Sequence, residues 1–122
     1  MGRFAIFHVV GLLSVLACGF PGMSADADTG RSAFEKRCGG CHSADRVLEG
    51  PRLRGVFGRP AGKAPGYPYS DALKSAQFSW DKATLDKWLT DPESVAPGTD
   101  MAFRLNRQDE RAEIIEYLRQ LR

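Results

Sequence analysis

The stretch Cys38-Gly39-Gly40-Cys41-His42 decides how this chain folds. It places two thiols three positions apart and an imidazole directly after the second, which is the spacing for covalent attachment of a c-type haem. Each cysteine S–H can add across one haem vinyl group to form a thioether. The adjacent histidine is then held beneath the iron as an axial ligand. The motif therefore predicts a domain built around one haem c, bound through Cys38 and Cys41.

The length and composition fit one small globular domain preceded by a targeting segment. The chain has 122 residues, of which 43% are hydrophobic, a proportion that is typical of globular proteins and argues against disorder. The formal net charge is only +2, and the basic and aromatic residues are not interleaved on one stripe. A nucleic-acid partner is therefore not expected.

Residues 1–27 have the pattern of a secretory signal peptide. Arg3 supplies a basic start, residues 4–17 are largely apolar, and Ala25-Asp26-Ala27 offers small residues at the spacing that signal peptidase prefers. We predict cleavage after Ala27, export to the periplasm and a folded domain over residues 28–122. Two alternatives stay open: Val15-Leu16-Ala17-Cys18 is similar to a lipoprotein signal ending before Cys18, and an uncleaved signal could act as an anchor. A membrane partner is expected only in those two cases.

Removal of the signal leaves few side chains that bind a transition metal. The signal contains Cys18, His8 and two of the three methionines, so the exported domain keeps one histidine, His42, and one methionine, Met101. A CxxC pair can also be half of a zinc site, but His42 is then the only further soft nitrogen ligand. A thioredoxin-like pair would need a βαβ pattern around the cysteines, which the sequence does not show. An iron with one histidine and one methionine ligand has only His42 and Met101 to use.

The rest of the pattern predicts a small all-α domain of three to five helices with long loops. A first helix, capped by Asp28 or Thr29, is expected to begin near Gly30 and to run toward Cys38. Residues 43–68 contain repeated glycines and prolines without hydrophobic periodicity, and we interpret them as a loop that wraps the prosthetic group. Residues 70–75 are expected to form a short helix.

Two clearer helices follow. Ser79 or Asp81 is expected to begin one of them, with Pro92 just beyond its end; its apolar face consists of Leu85, Trp88 and Leu89. Residues 95–105 are predicted to be a loop. Asn106 or Asp109 is expected to begin the last helix, in which apolar residues recur at helical spacing; these are Ile114, Tyr117, Leu118 and Leu121.

Further ordered motifs extend over nearly all of the domain. They are Gly30-x-x-x-Phe34, Gly50-Pro51-x-Leu53-x-Gly55-x-Phe57-Gly58-Arg59, Ala64-Pro65-Gly66-Tyr67-x-Tyr69-Ser70-Asp71-Ala72, Trp80, Leu85, Leu89, Pro92, Pro97-Gly98-Thr99-x-Met101 and Tyr117. With these motifs, the chain from Gly30 to its C-terminus resembles class I cytochrome c, the monohaem family that includes the mitochondrial protein and its bacterial relatives.

The resemblance implies roles for particular residues. Met101 matches the second axial ligand, and Pro51 matches the proline whose carbonyl accepts the Nδ1–H of the axial histidine. Donors to the haem propionates are implied at Arg59, Tyr69, Ser70 and Trp80. Further cofactor contacts are implied at Leu53, Leu89 and Thr99. A crossing of the first and last helices is implied at Gly30, Phe34, Ile114 and Tyr117.

The sequence also departs from the family pattern. Leu73 stands where the family commonly has an asparagine, and Trp88 stands where it commonly has a tyrosine. Both changes are expected to remove polar atoms close to the iron, so that the Met101 side is drier than in the mitochondrial protein. Glu93, Ser94 and Asp100 replace lysines around the exposed haem edge, which implies a different partner surface.

The implied function is the transfer of single electrons. Histidine and methionine fill both axial positions of the iron, which leaves no site for a substrate and raises the potential. We therefore expect a monomeric carrier that docks transiently with redox proteins of respiratory or dehydrogenase complexes, and not an enzyme. Two alternatives stay open: a dedicated electron-accepting subunit of one dehydrogenase, and a peroxidase-like activity if Met101 dissociates.

Overall fold

The computed structural model describes residues 25–122 and shows five α-helices and no β-strand in that range. The helices are α1 (Ala25–Arg37), α2 (Asp71–Lys74), α3 (Lys82–Thr90), α4 (Pro92–Val95) and α5 (Gln108–Gln120). The predicted all-α fold with long loops is confirmed. Cys18 and most of the predicted signal peptide lie outside the described residues. None of the helices within residues 25–122 is long and apolar enough to cross a membrane.

Helices α1 and α5 cross at Gly30. A Cβ atom added to Gly30 would lie 2.4 Å from the carbonyl oxygen of Glu113 and 3.0 Å from Cβ of Tyr117. Only a residue without a side chain permits this approach, which explains a glycine inside a helix. The ring centroids of Phe34 and Tyr117 lie 5.2 Å apart beside the crossing, and Ile114 is fully buried. The helix crossing implied by the family resemblance is confirmed.

Helix α3 begins with a reciprocal cap. The side chain of Asp81 accepts a hydrogen bond from the backbone N–H of Thr84 at 2.8 Å, and Oγ1 of Thr84 accepts one from the N–H of Asp81, also at 2.8 Å. These two bonds satisfy donors that the helix itself cannot. Asp81 is therefore the cap, one of the two residues that the sequence offered. The predicted apolar face is buried; it consists of Leu85, Trp88 and Leu89.

The starts of two helices differ from prediction, and one further helix was not predicted. Helix α1 begins at Ala25, well before the predicted caps. Helix α5 begins at Gln108, between the two predicted starts. Helix α4 was not expected: Asp91 is extended, with φ −159° and ψ 96°, and Pro92 then starts a new turn. Proline fits the first position of a helix as well as it ends one, because its missing N–H has no partner there in any case.

The long segment between α1 and α2 contains no helix, as predicted for residues 43–68. It is fixed to the segment before α3 by one antiparallel bridge between Pro60 and Ser79. Gly62 adopts φ +70°, and a Cβ there would lie 2.2 Å from the carbonyl oxygen of Leu73 at α2. The loop is therefore packed directly against the short helix, so that it encloses the space between α3 and α5.

Candidate functional site

The cysteine motif forms a turn at the end of α1. The N–H of Cys41 donates to the carbonyl of Cys38 at 3.0 Å, and the N–H of His42 donates to the same carbonyl at 2.8 Å. Both thiols are free, with Cys38 partly buried and Cys41 exposed. The turn therefore brings two sulfur atoms and the imidazole to one side of the chain.

The thiol of Cys38 is poorly suited to thiol–disulfide exchange. Burial raises its pKa to about 11, with smaller contributions from the charges of Glu110 and Cys41. A redox-active CxxC pair needs a lowered pKa, because the thiolate is the nucleophile. A partly buried, neutral sulfur instead suits a thioether. Within residues 25–122 there is also no group of three or more His, Cys, Asp or Glu side chains placed to hold a metal ion, so the zinc alternative finds no further ligands there.

The imidazole of His42 is held in one orientation by the backbone. Its Nδ1 lies 2.9 Å from the carbonyl oxygen of Pro51, the distance at which Nδ1–H donates a hydrogen bond. This tautomer leaves Nε2 unprotonated. Burial lowers the pKa of His42 and outweighs the opposite effect of the Pro51 carbonyl, so the neutral ring that a metal requires is favoured.

Gly50 lies against the face of this imidazole. A Cβ atom added to Gly50 would lie 2.3 Å from Cε1 of His42, 2.7 Å from Nδ1 and 2.8 Å from Nε2. The N–H of Gly50 donates to the carbonyl of Cys41 at 2.8 Å, which fixes the glycine there. The sequence indicated only that Gly50 interrupts secondary structure, and its contact with the imidazole was missed.

The thioether of Met101 lines the same cavity as His42, from the loop after α4. Nε1 of Trp88 donates a hydrogen bond to Sδ of Met101 at 3.2 Å. This corrects one expectation: Trp88 does not remove a polar atom near the iron but directs an N–H at the sulfur. Leu73 is buried and apolar, as expected. Whether the Met101 side is drier than in the mitochondrial protein stays a prediction.

These groups surround one cavity of about 470 Å³ between the wrapping loop, α3 and α5. All twelve residues predicted to bind the cofactor line this cavity: Cys38, Cys41, His42, Pro51, Leu53, Arg59, Tyr69, Ser70, Trp80, Leu89, Thr99 and Met101. The wall also contains apolar residues that the sequence analysis did not assign to the site: Val56, Leu85, Phe103 and Leu118. The sequence predicted whether each of these residues lies in a helix or a loop, but not that its side chain points into the cavity.

Comparison with known proteins identifies the family. A family model described as cytochrome c matches residues 27–122. Cytochrome c from Euglena viridis is 42% identical over 100 residues, covering 80% of this chain and 98% of the relative. Cytochrome c type-1 from Ascaris suum is 40% identical over 96 residues, covering 76% and 86%. The chain belongs to the cytochrome c family.

A solved structure is similar over the same region. Cytochrome cH from Methylobacterium extorquens superposes with a TM-score of 0.73 at 42% identity, covering 78% of this chain and 98% of that one. Together with the family match, it shows a small class I cytochrome c fold. As a member of this family the chain carries covalent haem c and transfers electrons, and it is not an enzyme.

Two orphaned polar atoms support the fit of a haem in this cytochrome c. Nε of Arg59 and Oγ1 of Thr99 are buried without a hydrogen-bond partner, which is costly unless a bound group supplies acceptors. Arg59 uses its other nitrogens on the carbonyls of Arg54 and Arg52, at 3.3 and 3.1 Å. A guanidinium and a hydroxyl in a largely apolar cavity suit the carboxylates of a porphyrin.

The two hydroxyls that were predicted to donate to the propionates, those of Tyr69 and Ser70, have protein partners. The hydroxyl of Tyr69 accepts a hydrogen bond from the N–H of Ala64 at 3.1 Å. Oγ of Ser70 accepts one from the N–H of Leu73 at 3.4 Å and caps α2. Both oxygens keep their own hydrogens, so each can still donate to a carboxylate. Arg59 and Thr99 have the stronger need for such a partner.

Proposed function

We propose that this cytochrome c is a freely diffusing single-electron shuttle whose iron is held between His42 and Met101. The observation that carries the proposal is that both side chains line one cavity and that each is already oriented by its own hydrogen bond. Nδ1 of His42 is held by Pro51, and Sδ of Met101 is held by Trp88. Side chains that serve only as packing would not need such partners.

The haem supplies one-electron redox chemistry. The protein residues around it would prevent the iron from binding and reacting with small molecules. His42 and Met101 would hold the iron together, which would leave small ligands no place to bind. The buried rings of Trp80 and Trp88, with centroids 5.1 Å apart, pack against the cavity as a rigid pair. An apolar wall favours the less charged, reduced state, because a charge is destabilised in a medium of low polarisability.

Docking at the mouth of the cavity is expected to be brief. Phe103 lines the cavity and leaves 37% of its surface exposed, so it offers an apolar contact there. Asp100 lines the same cavity and is exposed. One aromatic ring and one carboxylate suit a small, transient encounter with a redox protein better than a permanent interface. We further propose that the domain is a monomer that serves respiratory or dehydrogenase complexes.

The proposed location is the periplasm, after removal of residues 1–27. The basic start, the apolar run and the small residues before Asp28 support this proposal. The intact mass of the exported protein tests it, because the mass reports the cleavage site, one haem and any lipid on Cys18. A mass for residues 28–122 plus one haem is expected. A lipid on Cys18, or a retained signal, would contradict it.

The absorption spectrum of the ferric holoprotein tests the ligation. The wild type is expected to show the methionine–iron charge-transfer band, and Met101→Ala is expected to lose it and to bind cyanide at once. Arg119→Ala is the matched control, because Arg119 is exposed on α5 and pairs with Glu116. A wild-type spectrum without the band and with rapid cyanide binding would instead indicate a peroxidase-like site. Purification only as a complex with a dehydrogenase would indicate a dedicated subunit.

A further inference from the structure

Arg111 is a buried cation that the electron-transfer site does not itself use. Together with Glu110 it is one of the two charged residues found buried within residues 25–122, and only 8% of its surface is exposed. A buried guanidinium is costly unless its donors are satisfied. Its partners therefore show what it stabilises.

The guanidinium joins three separate segments. Its Nε donates to Oδ1 of Asp86 in α3 at 2.8 Å. Its Nη1 donates to the carbonyl of Leu105 at 2.8 Å and to the carbonyl of Asn106 at 3.0 Å. Arg111 itself lies in the first half of α5. One side chain therefore ties α5 and α3 to the end of the Met101 loop, which we define as residues 96–107.

The Met101 loop is also joined to α3 by one buried backbone hydrogen bond, and to the residue that follows α3 by one exposed ion pair. The N–H of Leu105 donates to the carbonyl of Leu89 at 2.7 Å. Arg104 pairs with Asp91 at 2.9 Å, with 57% and 36% of the two side chains exposed. An exposed pair of this kind contributes little. Arg111 is the side chain that holds this end of the loop from a buried position.

Trp88 connects this anchor to the metal ligand. It lies on α3 between Asp86 and Leu89, the residues that fix Arg111 and Leu105. Its Nε1 donates to Sδ of Met101. Both Sδ of Met101 and the end of the Met101 loop are therefore held by the same nine-residue helix, α3. Movement of the loop away from α3 would also withdraw the sulfur from Trp88.

We propose that Arg111 is a positioning residue for Met101: by holding the carbonyls of Leu105 and Asn106 against α3, it keeps the thioether on the iron. This inference rests on the proposed ligation by Met101. Arg111 does not touch the ligand, and it acts through the loop. A lysine cannot replace it, because a single ammonium group does not reproduce the rigid fork that reaches a carboxylate and two carbonyls together.

The test is the rate at which cyanide binds to the ferric holoprotein, since cyanide can bind only when Met101 leaves the iron. Arg111→Lys is expected to raise this rate about tenfold, the change that follows from losing one charge-assisted hydrogen bond. Asp86→Asn keeps an oxygen acceptor for Arg111 and is expected to change the rate less than about threefold. Arg119→Ala, an exposed arginine on the same helix, is expected to match the wild type.

A destabilised control separates loop positioning from general stability. Gly30→Ala changes no residue of α3 or of the Met101 loop, and it disturbs the crossing of α1 and α5 because its Cβ would meet the carbonyl of Glu113. It is expected to lower the midpoint of chemical unfolding at least as much as Arg111→Lys does, without raising the cyanide rate. If both variants raise the rate in proportion to their loss of stability, Arg111 is only a general stabiliser and the inference is wrong.

The outcomes for the ligation and for Arg111 are distinguishable. A wild-type protein without the methionine–iron band contradicts the ligation proposed above. A wild-type protein with the band, and an Arg111→Lys variant whose cyanide rate equals that of Arg119→Ala, contradicts the role of Arg111 alone. If Arg111→Lys does not fold, Asp86→Ala removes one anchor of the same guanidinium while keeping its two carbonyl bonds. An unchanged rate in that variant would also contradict the role.

Discussion

The two sides of the cavity are built in different ways. On one side, His42 is held by backbone atoms: the carbonyl of Pro51 accepts its proton, and Gly50 lies against its ring. On the other side, Met101 and its loop are held by side chains, chiefly Trp88 and Arg111. A backbone contact can be changed only by displacing the chain, whereas a side-chain contact can be adjusted one residue at a time. We therefore propose that the histidine side fixes the haem and that the methionine side tunes its potential.

Removal of the haem should abolish both sides together, which is the largest effect expected. The variant with Cys38→Ala and Cys41→Ala is expected to be largely unfolded. At about 24 cal/mol per Å³, an unfilled cavity of 470 Å³ costs at most about 11 kcal/mol, which is comparable to the whole net stability of a small domain, about 5–15 kcal/mol. Far-ultraviolet circular dichroism measures this. Native-like helical signal in the double variant would show that the two sides fold without the haem.

A methyl group at Gly50 should break the histidine side selectively. Gly50→Ala is expected to displace the imidazole, because the new Cβ would lie 2.3 Å from Cε1 of His42. Overpacking of this kind costs about 1–3 kcal/mol, measured as a lower midpoint in chemical denaturation. Gly40→Ala is the matched control, since a Cβ at Gly40 meets no atom within 4 Å. Equal losses in the two variants would contradict the close contact.

Loss of the hydrogen-bond donor of Trp88 should change the reduction potential and leave the fold intact. It would therefore separate the role of the methionine side from that of the histidine side. An N–H that donates to Sδ withdraws electron density from the sulfur, so the proposed ligand would donate less to the iron and would favour the ferrous state further. Trp88→Phe is therefore expected to lower the reduction potential by about 30–60 mV, a factor of about three to ten in the one-electron equilibrium. A redox titration measures it. Trp88→Tyr tests whether another donor can restore the value, and an unchanged potential in Trp88→Phe would show that the bond does not act on the iron.

The smallest effect on the potential is expected from Leu73→Asn. Leu73 lines the cavity, but it has no bond to Met101, so an amide there acts only by making the surroundings more polar. A more polar wall favours the oxidised, more charged state. The potential is therefore expected to fall by about 10–30 mV, where about 59 mV corresponds to a tenfold change in the one-electron equilibrium. The redox titration is made on samples whose circular dichroism matches the wild type. A potential that does not change would contradict a dry Met101 side.

The sequence predicted residues that line the cavity, because the chemistry of haem attachment restricts the residue types. Two thiols, one imidazole and one thioether can be recognised by type and spacing alone, and all twelve proposed residues line the cavity. Helix α4 was missed because Asp91-Pro92 can end one helix or begin another, and only the path of the chain decides. Arg111 was missed for a related reason: its three acceptors lie on segments that helical periodicity does not bring together.

The direction of Trp88 shows a further limit. Its residue type, compared with the family's tyrosine, indicated a loss of polarity, but an indole has one N–H whose effect depends on where it points. The structure directs that N–H at Sδ of Met101. The residue types therefore predict that the cavity wall is apolar. The direction of the single N–H of Trp88 is known only from the structure.

The crossing of α1 and α5 joins segments from the two ends of the domain. The attachment motif is complete once residue 42 has been synthesised, but Ile114 and Leu118, which close the cavity from α5, come near the end of the chain. A chain that ended between these points would carry both thiols but would lack the part of the cavity wall that α5 supplies. The residues that attach the haem and the helix that completes its pocket thus lie at opposite ends of the domain.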